Sequence, residues 1–311
     1  MTATVNRAVS VGLLLGVDLG GTKIRAGLAD QFGNLLAERE EPTQSAGGGL
    51  GAQISHLAEE LRGACEIDNV GFDAIAVGGA GVALSDGSLG LAPNLSELAG
   101  VDVVGELSRA LGAPVILDND VNLAALGEVH AGTAGDTFCF VSFGTGVGMG
   151  IVVEGELLTG ARGAAGEIGY LPVGADPWDP SHQVNGAFEE VVAGQSVSAR
   201  YARETGRAAT VPEIFDAAAS GDSSACRVID DFARWAAVGL ASVIAVLDPP
   251  RIILGGGIGR RPELAPRICD QLTLLGHGDV AVAPSSLGPT GPVLGAIRRA
   301  QQHVVQKGQR P

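Results

Sequence analysis

The sequence is short of cysteine, of basic residues and of long apolar runs, and each shortage excludes something. Its four cysteines, Cys65, Cys139, Cys226 and Cys269, lie far apart with no CxxC pair. That pattern gives neither a disulfide framework nor a thiolate set for zinc, and reduced, buried cysteines are expected. Lys and Arg number 20 against 35 Asp and Glu, for a net charge of −15. A field of that sign repels phosphate backbones and anionic lipid, which argues against nucleic acid or a membrane surface as partner. A compact anion such as ATP is still admissible, because backbone N–H groups and a cation can hold it locally. No apolar run reaches the ~18 residues needed to span a bilayer. Residues 8–17 are apolar and follow Arg7, but they run into Asp18 and two glycines without a small-x-small cleavage site, so a signal peptide is not indicated. The cytoplasm is the expected location. Aromatic residues are also scarce, at 4%.

What is abundant is apolar residues (46%) and glycine (48 of 311). So apolar a chain can bury a core and is not disordered. At roughly 150 residues per domain its length suits two domains or one large one. Short apolar runs end at glycine four times: 11–17 before Gly20-Gly21, 74–77 before Gly78-Gly79, 138–143 before Gly144, and 251–254 before Gly255-Gly256-Gly257. A fifth run, 115–117, ends at Asp118-Asn119-Asp120. Such runs read as buried strands. Spacings of three and four predict helices over about 50–65, from Cys226 to Val246, and from about Val293 to His303. Asp248-Pro249-Pro250 should stop the second of these. Alternating strands and helices make an α/β fold.

Two of the glycine turns lead into strands. After Gly20-Gly21-Thr22-Lys23 comes the alternation Ile24, Ala26, Leu28, then a Gly33-Asn34 turn and Leu35-Leu36. After Gly144-Thr145-Gly146-Val147-Gly148 comes Ile151-Val152-Val153, a Glu154-Gly155 turn and Leu157-Leu158. The repeated hairpin predicts a duplicated architecture, each half opening with a glycine turn onto a shared cleft. A Walker A loop and a dinucleotide fingerprint both fail here, because each needs a helix after the glycines. A phosphate-holding hairpin turn remains, since successive N–H groups in a glycine turn make an anion nest. Asp18, just before the first turn, would then be the Mg²⁺ partner, often through water. Asn119-Asp120 precedes an Ala/Leu-rich helix over 121–131 and, taken alone, suits a helix N-cap.

The stretches VDLGGTKIRAGL (17–28), LDNDVNLAALGE (117–128), FGTGVGMGIVVEGELLTGARGAAGEIGY (143–170) and LDPPRIILGGGIG (247–259) resemble the motifs of the ROK family of bacterial repressors and sugar kinases, in the family's order and over residues 15 to 300. The resemblance implies an actin-like, hexokinase-type duplicated fold of two lobes around a central cleft. The expected lobes are 1–118, completed by the C-terminal helix 292–311, and 119–291. It further implies transfer of the γ-phosphoryl group of ATP, with Mg²⁺, to a sugar hydroxyl, most readily the 6-hydroxyl of a hexose, by a homodimer. Asp120 would be the general base. Gly81, Asn94, Asn119, Asp120, Glu167, Tyr170 and Glu189 would hold the sugar. Gly20, Gly21, Thr22, Lys23, Thr145, Gly146, Gly256 and Gly257 would hold ATP.

Two departures from the family pattern bear on specificity. Tyr170 stands where the family has His after GEIG, and residues 171–188 lack the cysteines of the family's zinc segment, Ala187 replacing one. No zinc is expected, and His182 reads as a surface residue. A phenol between two glutamates is compatible with glucose or with an amino sugar such as kanosamine. The sugar, and polyphosphate as donor in place of ATP, stay open at this level. The alternative is a non-catalytic sugar-sensing regulator; about ten residues before the first strand are too few for a DNA-binding domain. Trp178 and Trp235 read as core or interface residues. Arg298, Arg299, Lys307 and Arg310 read as a solvated helix face.

Overall fold

The computed structural model describes residues 12–43, 49–67, 70–79, 81–83, 89–90, 102–132 and 137–308. Two compact units emerge: residues up to His130 together with Thr290 onward, and Ala131–Pro289.

The first unit opens with a meander of β1 (Leu13–Leu19), β2 (Lys23–Asp30) and β3 (Leu35–Pro42), followed by α1 (Gly49–Ala64) and β4 (Phe72–Gly79). A small ladder, β5 (Val82–Ala83) and β6 (Leu89–Gly90), precedes α2 (Val103–Leu111), β7 (Val115–Asn119) and α3 (Asp120–His130). The sheet order is β3-β2-β1-β4-β7, with the first three strands antiparallel and β1, β4 and β7 parallel. β1 and β4 are apolar nearly throughout, because helices cover both faces of a parallel core. On one side Ile54, Leu57, Ala58 and Leu61 of α1 join Leu13, Leu15, Val17, Ile75 and Val77 in one core. The C-terminal helix α10 (Gly291–Gly308) packs on α3, β1 and β4. That packing keeps α3 in the first unit, so the division falls after His130.

The second unit repeats the plan. Its sheet runs β10-β9-β8-β11-β12, formed by β8 (Phe138–Phe143), β9 (Val147–Val153), β10 (Glu156–Leu157), β11 (Arg251–Gly255) and β12 (Ala281–Pro284). Again three antiparallel strands are followed by two parallel additions. Helices α4 (Glu189–Val192), α5 (Gly194–Thr205), α6 (Val211–Ala219) and α7 (Ser223–Leu247) lie between β10 and β11, with α8 (Gly256–Gly259) and α9 (Leu264–Leu274) after it. Phe143, Phe188, Phe232, Leu240, Ile252 and Leu254 sit in its core. The duplication expected from the two glycine hairpins is present strand for strand. α7 ends at Asp248, which takes a left-handed conformation (φ 45°) and donates its N–H to Ile244 before the two prolines.

Some expectations need correcting. Trp178 is 85% exposed and belongs to no core, whereas Trp235 packs at the edge of the second one. Only Cys139 is fully buried; Cys65, Cys226 and Cys269 are half-buried, and all four are free. His182 is half-buried, with Nδ1 2.9 Å from the Asp176 carbonyl. Arg299 is only partly solvated, its side chain pairing with the buried Asp118. No helix among the described residues is long and apolar enough to cross a membrane.

Candidate functional site

In the first unit the parallel strands bring their C-terminal ends into one row. Asp18 of β1 lies beside Gly78 of β4, and Gly78 beside Asp118 of β7; one residue further, Leu19, Gly79 and Asn119 align. The chain leaves β1 through a tight turn, Gly20 N–H to Lys23 carbonyl at 2.9 Å, with Gly21, Thr22 and Lys23 exposed at its tip. It leaves β7 directly into α3, whose first residue is Asp120. The Asn119 amide oxygen accepts from the N–H groups of Val121 (2.9 Å) and Asn122 (3.1 Å), the N-cap role expected of it. Its Nδ2 donates to the Gly81 carbonyl at 2.9 Å. Asn119, Gly81 and Asp120 are thus one construction, while Asn94 lies outside the described residues.

The electrostatics of this corner are unusual. Burial first, then the Asp120 charge, push the Asp18 carboxyl up to about 7; Glu40 adds to this and only Arg25 opposes it. Arg25, opposite Asp18 on β2, is itself engaged by Glu40 and, at 3.3 Å, by Glu38. Burial also raises the Asp120 carboxyl, against the N–H of Val121, which its Oδ1 accepts at 2.9 Å. Two half-buried carboxylates of raised proton affinity, one before the glycine turn and one at the start of α3, have the chemistry to accept a proton or to ligate a hard cation. Asp18 fits Mg²⁺ on these grounds: it is an oxygen donor whose burial is largely uncompensated, and a cation would restore its charge.

In the second unit the equivalent turn is Gly144–Val147, closed by Gly144 N–H to Gly146 carbonyl at 2.9 Å, with Thr145 exposed. Glu189 reaches back to it, its Oε2 accepting the Val147 N–H at 2.8 Å. A β-carbon at 146 would overlap that carboxylate, so the bond from Val147 to Glu189 as it stands requires glycine there. Phe188 anchors the segment: its ring is buried against Gly239 of α7, where any side chain would collide with it. Glu167 starts a 3₁₀ turn, Ile168–Tyr170, held by the Gly166 carbonyl on the Met149 N–H (3.0 Å) and the Gly169 carbonyl on the Phe188 N–H (3.1 Å). Burial, then the charges of Glu167 and Glu189, raise the Tyr170 phenol, whose hydroxyl donates to the Val184 carbonyl at 3.2 Å. Glu189 is raised by burial first and by Glu190 and Glu167. Glu167, Tyr170 and Glu189 therefore form one electrostatic set. Gly256 and Gly257 follow β11 and approach the Gly144 turn; open space lies beside the α-carbon of Gly257.

Sequence reasoning missed the pairing of Asp118 with Arg299, because Asp118 reads as a strand end and Arg299 as part of a solvated helix face. Among the described residues, the set of three ligand-type side chains close enough to share a metal ion is Glu41, His56 and Glu60, on β3 and α1. Glu60 there is already within 3.6 Å of His56 and 3.9 Å of Arg39.

A duplicated unit of three antiparallel and two parallel strands, with a glycine turn on each leading hairpin, defines an actin-like fold of the hexokinase type. The model of the ROK family matches residues 14–303, and the chain belongs to that family. It is 31% identical over 278 residues to a glucokinase of Streptomyces coelicolor, covering 82% of this chain and 84% of that one. A ROK hexokinase from Thermus thermophilus superimposes with a TM-score of 0.81 at 30% identity, over 94% of this chain and 99% of the other. A ROK family glucokinase from Streptomyces griseus, solved with glucose and AMPPNP, gives 0.74 at 26% identity, over 94% and 100%.

Proposed function

We propose that this chain is an ATP- and Mg²⁺-dependent sugar kinase that phosphorylates the 6-hydroxyl of glucose or of a glucose-like amino sugar such as kanosamine. The observation that carries the reading is Asp120: a half-buried carboxylate with raised proton affinity, at the start of α3 beside Asn119. Phosphoryl transfer is chiefly positioning and charge stabilisation, with one carboxylate orienting the attacking hydroxyl. The sugar oxygen attacks the γ-phosphorus, the bond to the β,γ-bridging oxygen breaks, ADP leaves, and the hydroxyl proton passes to Asp120. A carboxylate whose proton affinity is raised by burial is better matched to that task than an ordinary one.

Asn119, Glu167, Tyr170 and Glu189 are assigned to the sugar, with Gly81 and Asn94 in support. One bond to Val147 leaves the Glu189 carboxylate most of its acceptor capacity. The fields of Glu167 and Glu189 overlap at Tyr170, an environment that favours a cation and so supports an ammonium-bearing sugar. The turns Gly20–Lys23 and Thr145-Gly146 are assigned to the phosphates, and Gly256-Gly257 to the adenosine side. Asp18 is assigned to Mg²⁺, which when bound neutralises charge on the phosphates. The relatives named glucokinase, one of them solved with an ATP analogue, support the same substrates.

The test is coupled ADP release with MgATP over glucose, mannose, N-acetylmannosamine, fructose, glucosamine and kanosamine, for wild type and Asp120→Asn. Sugar-dependent turnover should fall at least ~10²-fold in the variant, with sugar binding largely kept. Turnover within a few-fold of wild type would remove Asp120 from the role of base.

A further inference from the structure

Asp118 is one of the few charged side chains buried among the described residues, and it is fully engaged. Its Oδ1 accepts the Asn119 N–H at 2.9 Å and the Asn122 amide at 3.3 Å; its Oδ2 accepts Arg299 Nε at 3.0 Å. Arg299 comes from α10, 181 positions later, and is the cation that meets Asp118 in an ion pair. The partners of Asp118 are not scattered. Asn119 caps α3 through its side chain and holds Gly81, Asn122 lies in the first turn, and Asp120 stands between them. Three polar side chains, 118, 119 and 122, therefore wrap the single turn that carries Asp120.

An ion pair with one member buried is a costly way to hold two elements together: Arg299 is a third exposed, but the Asp118 carboxylate is removed from water, and desolvation offsets much of the attraction. Stability alone does not account for a charged pair here, since α10 already packs on α3, β1 and β4. Direction does. An apolar contact is indifferent to small rotations, whereas a carboxylate with an N–H on one oxygen and a guanidinium on the other fixes the peptide that follows it.

We propose that Asp118 and Arg299 are positioning residues for the reaction: Arg299 orients the Asp118 carboxylate, which sets the Asn119 peptide and thereby the angle at which Asp120 meets the sugar hydroxyl. This rests on the reading of Asp120 as the base. The C-terminal helix thus acts on the reacting end of α3, besides completing the first unit.

The experiment compares full-length wild type with Asp120→Asn, Arg299→Lys, Arg299→Ala and the double variant Asp118→Leu/Arg299→Met, measuring kcat, KM and thermal stability. The double variant removes both charges but leaves the Asn119 N–H and the Asn122 amide without their acceptor, so it should fold with a lowered melting temperature. Its kcat should fall about 10- to 100-fold, the size expected of a small misplacement. KM for ATP should be unchanged. Arg299→Ala should lose kcat similarly and recover part of it with added guanidinium ion, and Arg299→Lys should lie between. If the double variant, at a temperature where it is folded, keeps wild-type kcat, the pair is structural only and the proposal is overturned. Full activity in Asp120→Asn would instead overturn the assignment of the base, so the two failures are distinct.

Discussion

The carboxyl of Asp18 offers a prediction that joins stability to function. In the folded chain it titrates near 7, against its usual 3.8, because it is buried beside Asp120 with only Arg25 to offset the charge. As pH rises from about 4, the unfolded chain releases this proton while the folded chain retains it. Ionisation therefore favours unfolding progressively up to about pH 7, and the penalty is constant above that. At about 1.4 kcal/mol per pH unit the gap amounts to at most about 4 kcal/mol. Asp18→Asn removes the titration at almost constant shape. The ligand-free variant should be more stable than wild type by about 1–4 kcal/mol at pH 8, with the advantage shrinking as pH falls towards 5.5. Both tryptophans lie in the second unit, so their fluorescence reports the wrong half. Urea unfolding should be followed by hydrogen exchange at amides of β1 and β4. The same substitution should abolish the stabilisation that MgATP gives wild type. An advantage that does not change with pH, or a wild type more stable at pH 8, would refute the reasoning.

Other expected outcomes follow from contacts in each unit. Gly146→Ala places a methyl against the Glu189 carboxylate and breaks its bond to the Val147 N–H. Steady-state kinetics should show kcat/KM for sugar down about 10- to 100-fold, in line with loss of a charged hydrogen bond, in a folded protein. Tyr170→Phe removes the hydroxyl that donates to Val184; KM for the preferred sugar should rise about 2- to 12-fold with little change in kcat. Gly295→Ala drives a methyl into the Leu123 carbonyl where α10 crosses α3. Denaturation should show a loss of about 1–3 kcal/mol or more, with a smaller loss refuting the close approach.

Where the fold was legible in the sequence, the reason was a local signal. The strands before the glycines and the hairpins after them stand out because apolar runs and turn residues alternate sharply, and α7 ends where two prolines require it. The helices α5, α6 and α9 are as amphipathic as α1 and α10, but at 9 to 12 residues they offer few turns of pattern, and β12 is only 4 residues long. At the site, Asn119 was legible as a cap because capping is a property of adjacent residues. The pairing of Asp118 with Arg299 was not, since it joins positions 181 apart through tertiary packing. Trp178 reads from sequence as core or interface, and its 85% exposure removes the core half of that reading, which size alone does not decide.

The central claim is that the chain transfers a phosphoryl group from ATP to a sugar. The most direct measurement is ³¹P and ¹³C NMR of the products formed from MgATP with glucose and with kanosamine. The account predicts a new phosphate-monoester signal coupled to carbon 6 of the sugar, one equivalent of ADP, and neither with Asp120→Asn. Tight sugar binding with no phosphorylated product from any sugar tested would contradict it.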